Sequence, residues 1–193
     1  MKINLITLGC FKNLVDSERI IHQMEKNGHT VLHNAEEFTE AVVINTCGFI
    51  LDAKTESIEN ILRIAEAKRM GLVKKIIVMG CLSQRYSESM REEMPEIDSF
   101  YGVNDHEAIL ADLESKYYAG ELHQRSLLTP THYAYLKIAE GCNRNCAFCA
   151  IPSIRGKQIS ITIPELVKEA EELTKKGVKE VILIAQDLTS YGT

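Results

Sequence analysis

The first 115 residues alternate short apolar runs with segments of helical periodicity. Residues 2–8, 41–45 and 75–79 are largely apolar on both faces, and weaker runs occur at residues 30–33 and 99–103. Strands that are apolar on both faces are typical of a parallel sheet covered by helices on each side. The pattern therefore predicts an α/β domain, in its simplest form a flavodoxin-like doubly wound parallel sheet.

Four helices are predicted between these strands, at residues 13–27, 53–70, 84–94 and 104–115. Apolar residues at helical spacing define the buried faces. An Asn104-x-x-Glu107 capping box opens the fourth helix. The predicted buried faces carry Leu14, Ile21 and Met24 in the first helix and Ile58, Ile61, Leu62 and Ala65 in the second.

The pattern restarts after residues 121–131, which have no clear period and which we interpret as a linker between domains at residues 1–120 and 132–193. A strand at 133–139, a cysteine-rich loop, a helix opened by Thr162-x-x-Glu165 and a strand at 181–185 follow. They predict the first β/α units of a truncated TIM-like barrel. A complete barrel takes roughly 200 residues or more, so we expect the chain to be a fragment.

Composition narrows the class of protein. The 193 residues include 22 basic and 27 acidic side chains, for a net charge of −5, which argues against a general nucleic-acid-binding surface. The first apolar run is too short for a signal peptide, and no run approaches the ~20 residues of a membrane span. We expect a cytoplasmic protein without membrane association. Thiols stay reduced there, so six cysteines need a role other than disulfides.

Three cysteines lie close together in the loop after the strand at 133–139. Cys142, Cys146 and Cys149 could converge on one metal centre, and a four-iron cluster held by three thiolates leaves one iron open for a small molecule. The alternatives are a zinc site completed by His123 or His132, or three unconnected thiols. Neither histidine has the paired spacing that is usual in structural zinc sites.

The other three cysteines each follow a predicted strand. Cys10, Cys47 and Cys81 come directly after, or within two residues of, the strand ends. The carboxyl ends of parallel strands share one edge of the sheet, where open α/β sheets bind ligands, so these thiols can meet. The alternative is that all three are ordinary buried cysteines, a common fate for this residue. The fact that all three cysteines lie at strand ends favours a second ligand-binding site.

With Phe148 before its last cysteine, the loop resembles the signature of the radical S-adenosylmethionine superfamily. The whole chain is similar to the methylthiotransferase family. Lys12-Asn13 and Ala150-Ile151-Pro152 resemble its branch that modifies a ribosomal protein. The segments that carry the likeness are Leu8-Gly9-Cys10-Phe11-Lys12-Asn13, Asn45-Thr46-Cys47-Gly48-Phe49-Ile50, Met79-Gly80-Cys81-Leu82 and Cys149-Ala150-Ile151-Pro152-Ser153-Ile154-Arg155-Gly156.

The resemblance implies two [4Fe-4S] clusters, one on each cysteine trio, and S-adenosylmethionine bound at the later trio. It implies insertion of a methylthio group at the β-carbon of an aspartate in a small-subunit ribosomal protein, with a flavodoxin- or ferredoxin-type electron donor. The fragment alone is expected to be inactive. One alternative is a transfer-RNA adenosine methylthiotransferase, the case in which nucleic acid would be a partner. An iron–sulfur electron carrier and a zinc-stabilised binding module are alternatives of another class.

Several other residues are candidates for the site. The resemblance places Phe148 near the adenine of the cofactor, while Gln186 and Asp187 are candidates to contact it because barrel sites form at the carboxyl ends of strands. Arg155 could bind a carboxylate or be a solvated surface residue. For the run Asp16, Ser17 and Glu18 we favour a role in the first turn of a helix over one in the site.

Overall fold

Five parallel strands form the sheet of the first domain in the computed structural model, which describes residues 1–192. The strands are β1 (Lys2–Thr7), β2 (Thr30–His33), β3 (Ala41–Thr46), β4 (Lys75–Gly80) and β5 (Ser99–Phe100). Their order in the sheet is β2-β1-β3-β4-β5, and every neighbouring pair is parallel. This order is the flavodoxin-like one, so the predicted fold class of the first domain is confirmed.

The core lies on both faces of this sheet because successive side chains of each strand point to opposite sides. Ile6, Ile44 and Val78 belong to one buried cluster, and Leu5 and Val43 belong to the other. All six residues of β3 are buried, as expected for the central strand. This burial of both faces explains why the strand sequences are almost continuously apolar.

Four helices cover the sheet: α1 (Phe11–Lys26), α2 (Leu51–Arg69), α3 (Cys81–Glu93) and α4 (His106–Asp112). Three of them, α1, α2 and α3, begin earlier than predicted, which makes Cys10 the N-cap of α1 and Cys81 the first residue of α3. The predicted capping box at Asn104 is wrong. Asp105 is the N-cap of α4, and its carboxylate accepts a hydrogen bond from the Gly102 N–H at 2.6 Å instead of capping the helix.

The predicted buried face of α2 is partly wrong. Ile61 and Ala65 are buried, but Ile58 is 37% exposed and Leu62 is 52% exposed. The helix instead turns Ser57 towards the sheet, where the Ser57 hydroxyl accepts a hydrogen bond from the Cys47 N–H at 3.0 Å. The polar contact near the strand end therefore sets the rotation of α2, and Ile58 and Leu62 lie at the margin of the buried stripe.

The second domain contains β6 (Tyr133–Lys137), β7 (Ala139–Glu140), α5 (Ile151–Arg155), β8 (Ile159–Ser160), α6 (Ile163–Lys175) and β9 (Glu180–Ile184). Strands β6 and β9 are parallel and α6 lies between them in the chain, which is the β/α unit expected at the start of a barrel. The predicted capping box of Thr162 and Glu165 is confirmed. The predicted domain limit at Thr193 lies outside the described residues.

The predicted strand at 133–139 is divided in two. β6 ends at Lys137, and β7 then pairs with β8 as an antiparallel ribbon. The division lies just before the cysteine-rich loop and redirects the chain towards the first domain.

No helix in the described part of the chain is long and apolar enough to cross a membrane.

The segment predicted as a linker is held firmly by Arg125. This side chain is 1% exposed. Its guanidinium lies 3.1 Å from Glu18 Oε2 on α1 and 3.1 Å from Glu169 Oε1 on α6, and it donates a 2.7 Å hydrogen bond to the Tyr135 carbonyl. Burial lowers the pKa of Arg125 and raises that of Glu18, and the pairing opposes both shifts. Arg125 therefore joins the two domains.

Replacing Arg125 with leucine is expected to destabilise the chain by about 3–5 kcal/mol, because Glu18 would stay buried without a cation and Glu169 would keep only its pair with Arg19. Chemical denaturation measures this change. The matched control is Lys74→Ala, which removes a 3.6 Å ion pair with Glu40 that is largely exposed and should cost less than about 1 kcal/mol. Equal effects of the two substitutions would contradict the structural role of Arg125.

Candidate functional site

Cys10, Cys47 and Cys81 line one cavity of about 960 Å³ at the carboxyl edge of the sheet. Cys10 follows β1 and is exposed, while Cys47 follows β3 and Cys81 follows β4, and both are buried. In this strand order, successive strands are added on one side of β1 and then, from β3 onward, on its other side, and open α/β sheets bind ligands at the point where the strand order reverses. The structure brings the three predicted residues to one place.

Two glycines allow the cysteine-bearing loops to touch. A Cβ atom at Gly9 would lie 2.5 Å from Cβ and 2.9 Å from Sγ of Cys47, and one at Gly48 would lie 2.7 Å from the Cys81 carbonyl oxygen. Gly9 also has a φ of +90°, which L side chains rarely adopt. These positions need glycine because the loop after each strand lies in van der Waals contact with the next.

Buried amide and hydroxyl groups fix the same loops. The Asn13 side-chain N–H donates to the carbonyls of Leu8 at 2.9 Å and Thr46 at 3.0 Å. Asn45 donates to the Asn13 carbonyl at 2.9 Å, and Ser57 holds the Cys47 backbone. Sequence reasoning missed Asn13, Asn45 and Ser57. A signal existed at Asn45, which is a polar residue at the end of an otherwise apolar strand.

Two of the three thiols lie at helix N-termini. Cys10 is the N-cap of α1 and Cys81 is the first residue of α3, which is kinked at Tyr86, so the positive ends of two helices lie next to these residues. Burial raises the pKa of Cys81, and the Arg155 guanidinium, with Nη2 at 3.6 Å from the sulfur, opposes that shift. The cavity thus offers the electrostatic compensation that anionic sulfur ligands require.

Arg155 is buried, not a solvated surface residue, and the carboxylates it contacts belong to this chain. Its Nη1 lies 3.0 Å from both carboxylate oxygens of Glu140 and 3.2 Å from Asp16 Oδ2. Its Nη2 donates to Asn13 Oδ1 at 2.6 Å and contacts the Cys81 sulfur. The residue belongs to α5 in the second domain, yet three of the four residues that it contacts, Asp16, Asn13 and Cys81, are in the first.

Lys137 completes a buried network with the same carboxylates. It forms ion pairs with Asp16 and, at 2.6 Å, with Glu140. Burial works to raise the pKa of Asp16 and of Glu140, but Lys137 and Arg155 outweigh it and hold both values below the usual range. The two carboxylates and the two cations therefore neutralise each other's charge where the two domains meet.

The favoured interpretation of Asp16, Ser17 and Glu18 as first-turn helix residues is wrong. Helix α1 begins at Phe11, so all three lie beyond its first turn, and all three are buried. Asp16 and Glu18 pair with cations of the segments after residue 120. Ser17 accepts hydrogen bonds from Thr7 Oγ1 at 2.8 Å and from Asn45 Nδ2 at 3.0 Å. The second domain packs on this side of α1 and buries what would otherwise be a solvated face.

The loop with Cys142, Cys146 and Cys149 is shaped by backbone contacts. The Cys142 N–H donates to the Gly156 carbonyl and the Cys149 N–H to the Cys146 carbonyl, each at 3.1 Å. Cys142 is buried, Cys149 is half-buried and Cys146 is exposed. A small buried cluster of Cys81, Val103 and Ile154 has Ala150, the residue after Cys149, packed against it. The segment after this loop therefore lies against the first trio.

Gln186 and Asp187, the candidates at the second strand end, have different surroundings. Gln186 lines the same cavity as the first trio and donates to Glu140 Oε1 at 2.7 Å. Asp187 pairs with Arg144 of the cysteine loop and accepts from Thr189 Oγ1 at 2.7 Å, and these contacts hold its pKa below the usual range. Phe148 is fully exposed. Contact of these three with the cofactor stays a prediction.

The two histidines of the zinc alternative lie elsewhere. His132 precedes β6, whereas the cysteine loop follows the other end of that strand. The His132 backbone carbonyl accepts a hydrogen bond from the Glu180 N–H at 3.0 Å. His123 lines a separate groove with Lys168 and Glu169. Among residues 1–192, no three Cys, His, Asp or Glu side chains converge closely enough to ligate a single metal ion.

A four-iron cluster does not require such convergence, because each thiolate binds a different iron atom. The donor set of the first trio fits such a group: three soft ligands line one cavity, glycines bring their loops together, and helix N-termini and Arg155 compensate negative charge. The later trio also offers three cysteine sulfurs from one loop.

Residues 2–102 match the family model described as uncharacterized protein family UPF0004, which is more than half of the chain. The chain belongs to this family. After the UPF0004 part, residues 136–192 match the model of the radical SAM superfamily. That match implies S-adenosylmethionine and an iron–sulfur cluster for the second part, and it confirms the start of a radical SAM domain after the flavodoxin-like one.

Curated relatives of this UPF0004 chain carry the name ribosomal protein uS12 methylthiotransferase RimO. The protein from Cytophaga hutchinsonii is 54% identical over 99% of the chain, that from Bacteroides fragilis 53% identical over 98%, and that from Prosthecochloris aestuarii 52% identical over 98%. The chain spans 44% of the length of each. The resemblance to the ribosomal-protein branch of the methylthiotransferases is confirmed.

Replacing Gly9 with alanine is expected to remove iron from the first trio, because the new methyl group would displace Cys47. With a four-iron cluster on each trio, as the resemblance implies, the iron bound after anaerobic reconstitution should fall from about eight to about four atoms per chain. The matched control is Gly28→Ala, which has a similar positive φ of +81° but open space around it. The control should lose about 1–2 kcal/mol of stability and keep its iron. Full iron content in Gly9→Ala would contradict the packing argument.

Proposed function

We propose that the protein to which this chain belongs is a radical S-adenosylmethionine methylthiotransferase that modifies the β-carbon of an aspartate in ribosomal protein uS12. Cys10, Cys47 and Cys81 would hold one [4Fe-4S] cluster, and Cys142, Cys146 and Cys149 would hold the other. The RimO relatives and the radical SAM match support this function. The protein would act in the cytoplasm, with a flavodoxin- or ferredoxin-type electron donor.

One observation carries the proposal: residues of the second domain complete the cavity of the first trio. Ile151, Arg155 and Gln186 line it together with the three cysteines. An electron carrier needs no such cavity, whereas a reaction that joins sulfur to a carbon radical needs both sites to reach one substrate atom. The open volume beside the first trio provides that space.

When bound, the clusters and S-adenosylmethionine would supply a one-electron reduction of the cofactor, a sulfur atom and a methyl group. The residues of the chain would hold and orient these groups. Asp187 ties the cysteine loop to the end of β9 through Arg144, and Gln186 is held at the cavity by Glu140. Phe49 and Ile50, each about half exposed, add apolar surface to the cavity lining.

The test uses the full-length protein, reconstituted without oxygen and given S-adenosylmethionine, a reductant and uS12. We expect the mass of uS12 to rise by one methylthio group in place of one hydrogen, located by tandem mass spectrometry on an aspartate. Cys146→Ala should abolish both this product and reductive cleavage of S-adenosylmethionine. Cys10→Ala should abolish the product and leave the cleavage, because the later trio is intact.

Other outcomes would overturn the proposal in distinguishable ways. Methylthiolation of transfer RNA but not of uS12 would assign the protein to the transfer-RNA branch. A colourless protein with zinc in place of iron would indicate a binding module. Two clusters with no modification of either substrate would indicate an electron carrier.

A further inference from the structure

We propose that Arg155 is a positioning residue that sets the reduction potential of the first cysteine site from the second domain. The inference rests on the proposed function, because it requires a cluster on Cys10, Cys47 and Cys81. It adds a role for a residue outside both cysteine trios.

The contact to sulfur is direct and comes from across the domain boundary. Arg155 is the last residue of α5, six positions after Cys149, and its Nη2 lies 3.6 Å from the Cys81 sulfur. The same nitrogen donates to Asn13 Oδ1 at 2.6 Å. Asn13 in turn binds the backbone carbonyls next to Cys10 and Cys47, those of Leu8 and Thr46. Arg155 therefore contacts Cys81 directly and, through Asn13, contacts the hydrogen bonds that hold the loops of Cys10 and Cys47.

The guanidinium is held in place on its other side by two carboxylates. Nη1 contacts Glu140 at 3.0 Å and Asp16 at 3.2 Å, and the side chain is nearly completely buried. These contacts use the forked geometry of arginine, which directs separate N–H groups to separate acceptors. A lysine has a single ammonium and cannot serve the carboxylates and the sulfur together.

A fixed positive charge and an N–H donor beside a cluster ligand favour the more negative, reduced state of the cluster. Hydrogen bonds to the sulfurs and local charge are among the factors that set such potentials. Arg155 should therefore raise the potential of the first site. Because α5 follows the later trio directly, correct packing of the second domain and the redox state of the first site would be linked.

The experiment isolates the first site in the full-length protein by replacing Cys142, Cys146 and Cys149 with alanine. In this background, redox titrations monitored by electron paramagnetic resonance compare the protein that retains Arg155 with the Arg155→Gln variant. At a given solution potential, we expect the ratio of reduced to oxidised cluster to be at least tenfold lower in Arg155→Gln, which is equivalent to ~59 mV for a one-electron couple.

Lys137→Met is the matched control. Lys137 pairs with the same two carboxylates, whereas the Cys81 sulfur is contacted by Arg155. It should lower the melting temperature as Arg155→Gln does and shift the potential much less, because the charge it removes does not contact a cysteine sulfur. Arg155→Lys should recover much of the melting temperature and only part of the potential, because it keeps the charge but not the forked contact, and it carries the comparison if the glutamine variant does not fold.

The outcomes separate this inference from the proposed function. An unchanged potential in the Arg155 variants, or an equal shift in Lys137→Met, would overturn the role of Arg155 while methylthiolation of uS12 by the otherwise unaltered protein still stood. Failure of Cys10, Cys47 and Cys81 to bind iron in the background protein would overturn the proposed use of that site, and the inference with it.

Discussion

The arrangement of the site depends on burying four charges between the two domains. Asp16 of α1 and Glu140 of β7 face Lys137 and Arg155, and each carboxylate contacts both cations. A buried charge without a partner costs several kcal/mol, so each domain supplies what the other requires. The domains must therefore pack in the one register that satisfies all four groups, and that register brings α5 against the first cysteine trio.

The sheet supplies the second constraint. Parallel strands end at a common edge, so thiols placed after β1, β3 and β4 meet although they are far apart in the chain. The close approach needs the absence of a side chain at Gly9 and Gly48 and the buried amides of Asn13 and Asn45. Backbone and polar contacts thus build the cavity, and the charged network covers one side of it.

Much of the fold could be predicted from periodicity, but individual positions could not. The strand order, the α6 capping box and the meeting of Cys10, Cys47 and Cys81 follow from local pattern and from the geometry of parallel sheets. The buried face of α2 was partly mispredicted because Ser57, not Ile58, faces the core. A polar residue that is buried because it hydrogen-bonds the backbone at the end of a strand cannot be found from the spacing of apolar residues.

The sequence by itself determined the two β/α patterns, the two groups of three cysteines and the family to which they point, because strand alternation, helix period and ligand spacing are local properties of the chain. Only the tertiary structure decided that Arg155 and Arg125 are buried, that Asp16 and Glu18 pair across the domain boundary, and that Gln186 enters the cavity. These contacts join residues more than 100 positions apart or depend on how two domains pack, and no spacing along the chain encodes such a contact.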